Sequence, residues 1–560
     1  MKRRVFVVGW DGATLDLARP WAEAGLLPNL RRVLEQGACG LLRSTIPPIT
    51  PVAWLSFSTG RNPGQHGVFD FLRPPRHYTD VTPTAAALSH EPTLWNRLSR
   101  AGRKPIVVNV PMTYPAERVD GVIISGAPSP SGGDSFAYPP HLLDELSAQG
   151  WDLTRDATLV HGTFDNYFYF LRELVEHRTA AVCYLMDRYP WDFFMVHYLE
   201  TDQAQHLYWR FMGDGGPNSD AILKIYQAAD AGLGQIMERL PPDVSLVVLS
   251  DHGLGPTRYH VHLNNWLARE GFLVWKRAPA TFMRRALYSL GLDPTSVYSR
   301  LPSALIRKLP LDDVRVELAQ VDKLVQRHKT SYASRLRKTL LRIPFLNFDD
   351  VDWQRTAAYA YGTTQAGLIY LNVKGREAQG MVQPGADYER VRARVADRLL
   401  TLVDPYSGEL LVRQVLLRED LYKGDRIADA PDLIVIYRSA EYDNKKGTAF
   451  LSRQVVDRVQ NTNATHRLMG MVALMGPQVR AGLTLPEVNM LDLAPTIMAL
   501  MGEPIPEEFE GRVLHEALTE PSQISTMKRD ENRAYSGQED LSAEELDQVL
   551  DKLRALGYVD

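Results

Sequence analysis

Short apolar runs without polar alternation recur along the chain, each bounded by polar or turn-forming residues. They fall at residues 5–9 (VFVVG), 104–110 (KPIVVNV), 122–125 (VIIS), 191–199 (WDFFMVHYL), 244–250 (VSLVVLS), 432–437 (DLIVIY) and 470–475 (GMVALM). Such runs predict strands buried on both faces. Between them lie longer stretches of helical character. Residues 15–37 read as largely helical, with Pro28 starting a second helix. Residues 167–187, 221–239 and 489–501 read the same way, the last stopped by Gly502. The alternation of strand and helix predicts an α/β fold with a mostly parallel central sheet and helices on both faces.

The pattern breaks between residues 276 and 345. No buried-strand run occurs there, and the segment reads as helical pieces with 15 Lys plus Arg against 5 Asp plus Glu over residues 276–343. It is expected to be a basic helical cap over the core, with peripheral contact to an anionic lipid or polymer as the sharper alternative. The polar stretch from about residue 520 reads as a linker. It leads into an amphipathic helix at 541–558, where Ser542 and Glu545 have capping-box spacing. The expected organisation is therefore a core of residues 1–275 and 346–518, a cap at 276–345, and a linker with a C-terminal helix at 519–560.

Composition narrows the class. Of 560 residues 45% are hydrophobic and 23% charged, as in soluble globular proteins, and a net charge of -4 argues against a general nucleic-acid binder. Cys39 and Cys183 make no disulfide framework. The apolar run after the basic N-terminus stops at Asp11, too short for a signal segment, and no stretch approaches a transmembrane span. A cytoplasmic location is the expectation.

The chemistry-bearing residues sit beside the predicted strands. Thr50 precedes Pro51 and the apolar stretch VAWLSFSTG, which predicts a helix with Thr50 at its N-cap, ending at Gly60. A hydroxyl at a helix N-terminus stands in a positive field suited to a phosphoryl group. Asp11 follows the first strand, and Asp251 and His252 follow the run at 244–250. Asp202 and His206 are four apart, on one helical face. His466 lies just before the run at 470–475. Asp and His in these numbers suit a borderline divalent metal: zinc first, with manganese or iron as alternatives.

Together the stretches VVGWDGAT (7–14), ITPVAWLSFSTGRNPGQHGVFDF (49–71), HYLETDQAQHLYW (197–209), LSDHGLGP (249–256), THRLMG (465–470), DLAPTIMALMG (492–502) and LRALGYVD (553–560) form a pattern spanning nearly the whole chain. The pattern resembles the alkaline phosphatase superfamily, in its type I phosphodiesterase/nucleotide pyrophosphatase branch. The nearest likeness is to prokaryotic members described as predicted phosphohydrolases or phosphomutases.

The resemblance implies a two-metal site. One ion would be held by Asp202, His206 and His466. The other would be held by Asp11, Asp251 and His252, with Thr50 as nucleophile and remaining ligand. The implied activity is hydrolysis of a phosphoric ester through a phospho-threonine, on a small-molecule or lipid-linked substrate. A phosphomutase, phosphoryl transferase or phosphomonoesterase using the same site is the alternative. The sequence also departs from its relatives. The Asn that diesterases place about twenty residues after the nucleophile is absent from the stretch around Asp70, whose anionic side chain is expected to bind a backbone group or a cation. The Cys-x-Pro-x-Arg motif of sulfatases is missing. His66 is expected to make a structural hydrogen bond.

Overall fold

A computed structural model describes residues 3–73, 76–78, 82–84, 92–130, 132–155, 164–293, 345–362, 365–444, 450–520, 525–528 and 541–556. Most of the basic insertion (294–344), most of the polar linker (521–524 and 529–540) and the last four residues (557–560) lie outside the described residues.

The strands, in chain order, are β1 (Arg4–Trp10), β2 (Ala38–Arg43), β3 (Pro105–Val110), β4 (Val122–Ser125), β5 (Ala137–Tyr138), β6 (Phe193–Tyr198), β7 (Val244–Leu249), β8 (Gly253–Val261), β9 (Ala358–Ala360), β10 (Gly367–Leu371), β11 (Val412–Leu417), β12 (Leu433–Tyr437), β13 (Tyr442–Asn444), β14 (Val456–Arg467), β15 (Met469–Met475) and β16 (Leu483–Thr484). The main sheet has 10 strands in the order β16-β2-β15-β7-β1-β6-β3-β4-β5, with Val488–Asn489 pairing beside β2. Its centre is parallel: β1 pairs with both β6 and β7, and β3 with β4 and β6. Antiparallel β15 lies between β7 and β2.

Alternate residues of β1 enter different cores, which is why its apolar run is unbroken. Phe6, Val8 and Trp10 pack with Leu171, Val175, Ile225 and Leu233 of the helices Phe164–Arg188 and Ala221–Arg239. Val5 and Val7 pack on the other face with Ala53, Trp54 and Phe57 of the helix Thr50–Thr59 and with Ile497 of the helix Leu493–Met501. The expected two-start segment is two helices, Leu15–Glu23 and Pro28–Gln36.

The strand at 432–437 joins a second, antiparallel sheet in the order β11-β12-β10-β9. This sheet has its own core, which includes Ile434, Val435, Tyr359 and Tyr370. The helix Thr50–Thr59 is wedged between the two cores, with Ile49, Val52 and Leu55 on the small-sheet side. All ten of its residues are buried. A helix apolar all round needs such a double-sided seat, and the seat holds its N-terminus in place.

The C-terminal helix (Ala543–Leu556) docks on this chain's own core, burying Val549, Leu550 and Leu553. Its capping box forms as the sequence predicts: Glu545 N–H donates to Ser542 Oγ at 3.3 Å, and Ser542 N–H to Glu545 Oε2 at 2.8 Å. Leu553 is fully buried, so Leu553→Ala is expected to destabilise the protein by about 2–5 kcal/mol. A fall in the urea midpoint would report it. Among the described residues no helix is long and apolar enough to cross a membrane.

Candidate active site

The acidic residues collect at the C-terminal edge of the main sheet, where open α/β sheets place their ligands. Asp11 follows β1, Asp251 follows β7, and Asp202 lies in the first turn of the helix Glu200–Tyr208 that follows β6. Each is almost completely buried. Gly12 makes the crowding feasible. It has φ +63°, and a Cβ there would come within 2.1 Å of Leu254 Cδ1 and 3.0 Å of Asp202 Oδ1.

The sequence placed Thr50 at the N-cap. In the structure Ile49 takes that place, and Thr50 is the first helical residue, with its side chain making no capping bond. The backbone of Ile49 is extended, and its carbonyl accepts from Val52 and Ala53 N–H. The Thr50 hydroxyl is therefore directed elsewhere, to 3.3 Å from His252 Nε2.

His466 lies just before the strand β15, as the sequence places it, but it is not in a loop. It is instead near the end of a long strand, β14, antiparallel to β8, with His466 opposite Leu254. The polar alternation of QNTNATHR hides this strand from a search for apolar runs. The β8–β14 pairing brings His466 onto His252, the two rings stacking with centroids 3.8 Å apart.

Seven residues named from the sequence are thus gathered: Asp11, Thr50, Asp202, His206, Asp251, His252 and His466. The histidines share one arrangement. His206 Nδ1 faces the Ala464 carbonyl at 2.9 Å, His252 Nδ1 the Gly253 carbonyl at 3.1 Å, and His466 Nδ1 the Pro48 carbonyl at 3.0 Å. A carbonyl can only accept, so each Nδ1 carries the proton and each Nε2 presents a lone pair.

Those lone pairs face carboxylate oxygens and one another. His206 Nε2 is 3.3 Å and His466 Nε2 3.6 Å from Asp202 Oδ1, and the two nitrogens are 3.1 Å apart. His252 Nε2 is 3.3 Å from Asp251 Oδ2 and 3.6 Å from Asp11 Oδ1. Asp11 Oδ1, Asp202 Oδ1 and Asp251 Oδ2 have no hydrogen-bond partner among the described residues. Acceptors packed against acceptors in a buried space need cations or protons between them. Two such groups are present, Asp11–Asp251–His252 and Asp202–His252–His466, each with donor atoms within 4.8 Å of one another. The donor set fits a binuclear divalent centre.

The sequence reading missed the residues that aim Asp11. His197 Nε2 lies 2.7 Å from Asp11 Oδ2, and Trp54 Nε1–H donates to the same oxygen at 3.2 Å. This leaves Oδ1 for the centre. His197 Nδ1 meets the Asn109 carbonyl at 3.1 Å, so one proton is shared between Asp11 and His197 Nε2. Both residues lie inside the motifs quoted above, but nothing in their spacing distinguishes them from core residues. Gly9 lets Trp54 approach: a Cβ there would stand 2.7 Å from the indole.

Two further expectations concern the segment after the helix Thr50–Thr59. His66 is structural: its Nε2 meets Ser56 Oγ at 2.9 Å and its Nδ1 accepts from Val68 N–H at 3.2 Å. Burial, reinforced by Arg61, pushes His66 down to about 3, so it is neutral. Asp70 accepts the Leu72 backbone N–H at 3.4 Å, the backbone contact expected for it.

Burial, then the charge of Asp202, hold Asp11 well above the ordinary carboxylate range, and burial, then Asp11, do the same for Asp251. Asp202 is lowered: the effect of its burial is outweighed, chiefly by His206. Burial, then Arg178, push His197 down to about 3. Without cations, the raised groups favour folding below the unfolded carboxylate value near 4, and that contribution is lost as pH rises through their folded values. Asp202, being lowered, contributes stability that is present above that value and is lost as pH falls through its folded value. His66 and His197, held neutral, add the opposite slope in both forms, so chelation is expected to cost more thermal stability the further pH rises through the folded values of Asp11 and Asp251. Metal-loaded protein is expected to hold its stability there and to release its ions on acidification. Tm against pH, with and without chelator, would show the two curves diverging as pH rises.

The model of the family described as "Type I phosphodiesterase / nucleotide pyrophosphatase" matches residues 5–446. The chain belongs to this family. It is thus a hydrolase of the phosphodiesterase/nucleotide pyrophosphatase kind, as the resemblance of its motifs implied. Among solved structures, it is similar to phosphonoacetate hydrolase from Sinorhizobium meliloti 1021 in complex with phosphonoformate, at 16% identity over 89% of this chain and 95% of that chain, with a TM-score of 0.49. It is also similar to murine ectonucleotide pyrophosphatase / phosphodiesterase 5, at 11% identity over 92% of this chain and 100% of that chain, with a TM-score of 0.46. A search of curated proteins found no match.

Proposed function

We propose that this family member cleaves phosphodiester or pyrophosphate bonds at a two-metal centre, with Thr50 as nucleophile. The observation that carries the reading is the position of the Thr50 hydroxyl. It is buried, unused as a cap and 3.3 Å from His252 Nε2, beside the three unpartnered carboxylate oxygens.

Asp202, His206 and His466 would hold one divalent ion, and Asp11, Asp251 and His252 the other. Zinc is the first candidate for this nitrogen and oxygen set, with manganese or iron as alternatives. Bound there, the pair supplies positive charge that favours the threonine alkoxide and the oxyanions of the displacement. The chain's own contribution is placement. The doubly seated helix fixes Thr50, and its N-terminus adds a positive field around the phosphoryl group. Thr50 Oγ1 forms a bond to phosphorus as the bond to the leaving oxygen breaks. Water then cleaves the phospho-threonine and restores the hydroxyl.

Hydrolysis of bis-p-nitrophenyl phosphate and p-nitrophenyl phosphate, compared with zinc or manganese added, tests this. The expected result is metal-dependent cleavage with a higher kcat/KM for the diester. Preference for the monoester would overturn the diesterase assignment, and cleavage indifferent to metal would overturn the centre.

A further inference from the structure

Beyond His197 lies a second polar recess that the reaction does not use. Its volume is about 30 Å³, and its lining includes Asn109, Ser125, Arg155, Arg178, Glu200 and Gln203. That is room for about two waters or the head of a compact polar group. The recess opens at the C-terminal ends of β3, β4 and β6, the same edge of the sheet that carries the metal cluster. Gln203 follows the candidate ligand Asp202 on the same helix.

Gln203 is 5% exposed, and neither its Nε2 nor its Oε1 has a hydrogen-bond partner among the described residues. The neighbouring polar groups are engaged. Arg178 Nε donates to Asn109 Oδ1 at 3.1 Å, and Arg178 pairs with Glu200. Asn109 Nδ2 donates to the Ser125 and Leu153 carbonyls, each at 3.2 Å. Arg155 pairs with Glu173 at 3.0 Å. A buried carboxamide idle at both ends costs free energy that a ligand or water would recover. The charged groups lining the space are two guanidinium groups and one carboxylate, Glu200. Each guanidinium is already paired with a carboxylate, so the ion pairs balance, but Arg178 Nη2 and Arg155 Nε and Nη2 keep N–H groups without a partner among the described residues.

We propose that this recess binds a compact oxyanion, with Gln203 as its recognition residue. Gln203 Nε2 donates to one oxygen of the ligand, and Gln203 Oε1 accepts from a hydroxyl or protonated oxygen of the same ligand. The guanidinium N–H groups those pairs leave over favour an anionic oxygen over a neutral polyol. Hydrogen phosphate has both features. The consequence for the substrate rests on the function proposed above: a phosphoester carrying a second anionic group would fit both the centre and the recess.

The test is the stoichiometry of inorganic phosphate on the full-length, metal-loaded protein, read by isothermal titration calorimetry. Wild type is expected to take two phosphates per chain, one at the centre and one in the recess. Gln203→Leu should keep the first and lose the second, read as at least about a tenfold rise in that Kd. Gln203→Glu, which keeps the size and adds a negative charge, should do the same and serves if the Leu variant fails to fold. Metal-stripped wild type should keep only the phosphate that depends on Gln203. Competition by sulfate and by malonate then separates a phosphate-like ligand from a carboxylate. A single phosphate in wild type, lost with the metal, would overturn the proposal and leave the recess a water site. So would two phosphates unaffected by either Gln203 substitution. Loss of the metal-dependent phosphate alone would count against the catalytic reading and leave the recess standing.

Discussion

Thr50→Ala is expected to lower kcat for diester cleavage by at least about 10⁴-fold while the protein keeps its fold and its metal. The side chain makes no capping bond, and nine further buried residues seat its helix between two cores, so the substitution removes little that is structural. The three carboxylates and three histidines around it are untouched. Wild type mixed with a labelled diester and quenched in acid should retain phosphoryl label on one threonine, and Thr50→Ala should retain none. Thr50→Ser, which restores a hydroxyl at the same atom, should recover part of the rate. An alanine variant within tenfold of wild type would remove Thr50 from the chemistry.

Chelation is expected to reduce activity below about 1% and to lower Tm, both restored by adding back zinc or manganese. The physical reason is the packing of lone pairs against lone pairs around Asp11, Asp202 and Asp251, which without cations is relieved only by protons, chiefly on Asp11 and Asp251. Single substitutions should separate the two positions. His252 belongs to both candidate donor groups, and its ring stacks on His466. His252→Ala should therefore lower bound metal from two ions per chain to at most about one, with loss of activity. His206 has a side chain 31% exposed and stands at the rim. His206→Ala should weaken one ion and keep the other. Metal content by atomic emission, measured on dialysed protein, decides between these outcomes. Equal loss in both variants would show that the centre fills only as a unit.

Much of the molecule was legible in the chain because burial on both faces leaves unbroken apolar runs. The strands β1, β3, β4, β6, β7, β12 and β15 are such runs, and the helix Ala221–Arg239 matches its sequence limits. The candidate residues were legible for a related reason: most follow directly from those strands, so placing the strands placed Asp11, Asp202 and Asp251 on one edge. Residues with polar alternation were misread. β14 was invisible as a strand because its cross-strand partner β8, distant in sequence, decides its conformation. Likewise, the step from N-cap to first helical position at Thr50 depends on local backbone geometry that Thr-Pro spacing leaves open.

By itself, then, the sequence determined the α/β class, which follows from hydrophobic period, and, through the resemblance of its motifs, the family and the metal-site candidates. Only the tertiary structure decided how those residues act together. Three backbone carbonyls orient three imidazoles, Trp54 and His197 turn Asp11 towards the centre, and a second core presses the Thr50–Thr59 helix into place. Apart from the local His252–Gly253 contact, the cited hydrogen bonds join residues 43 to 418 positions apart, and local patterning carries no information about them.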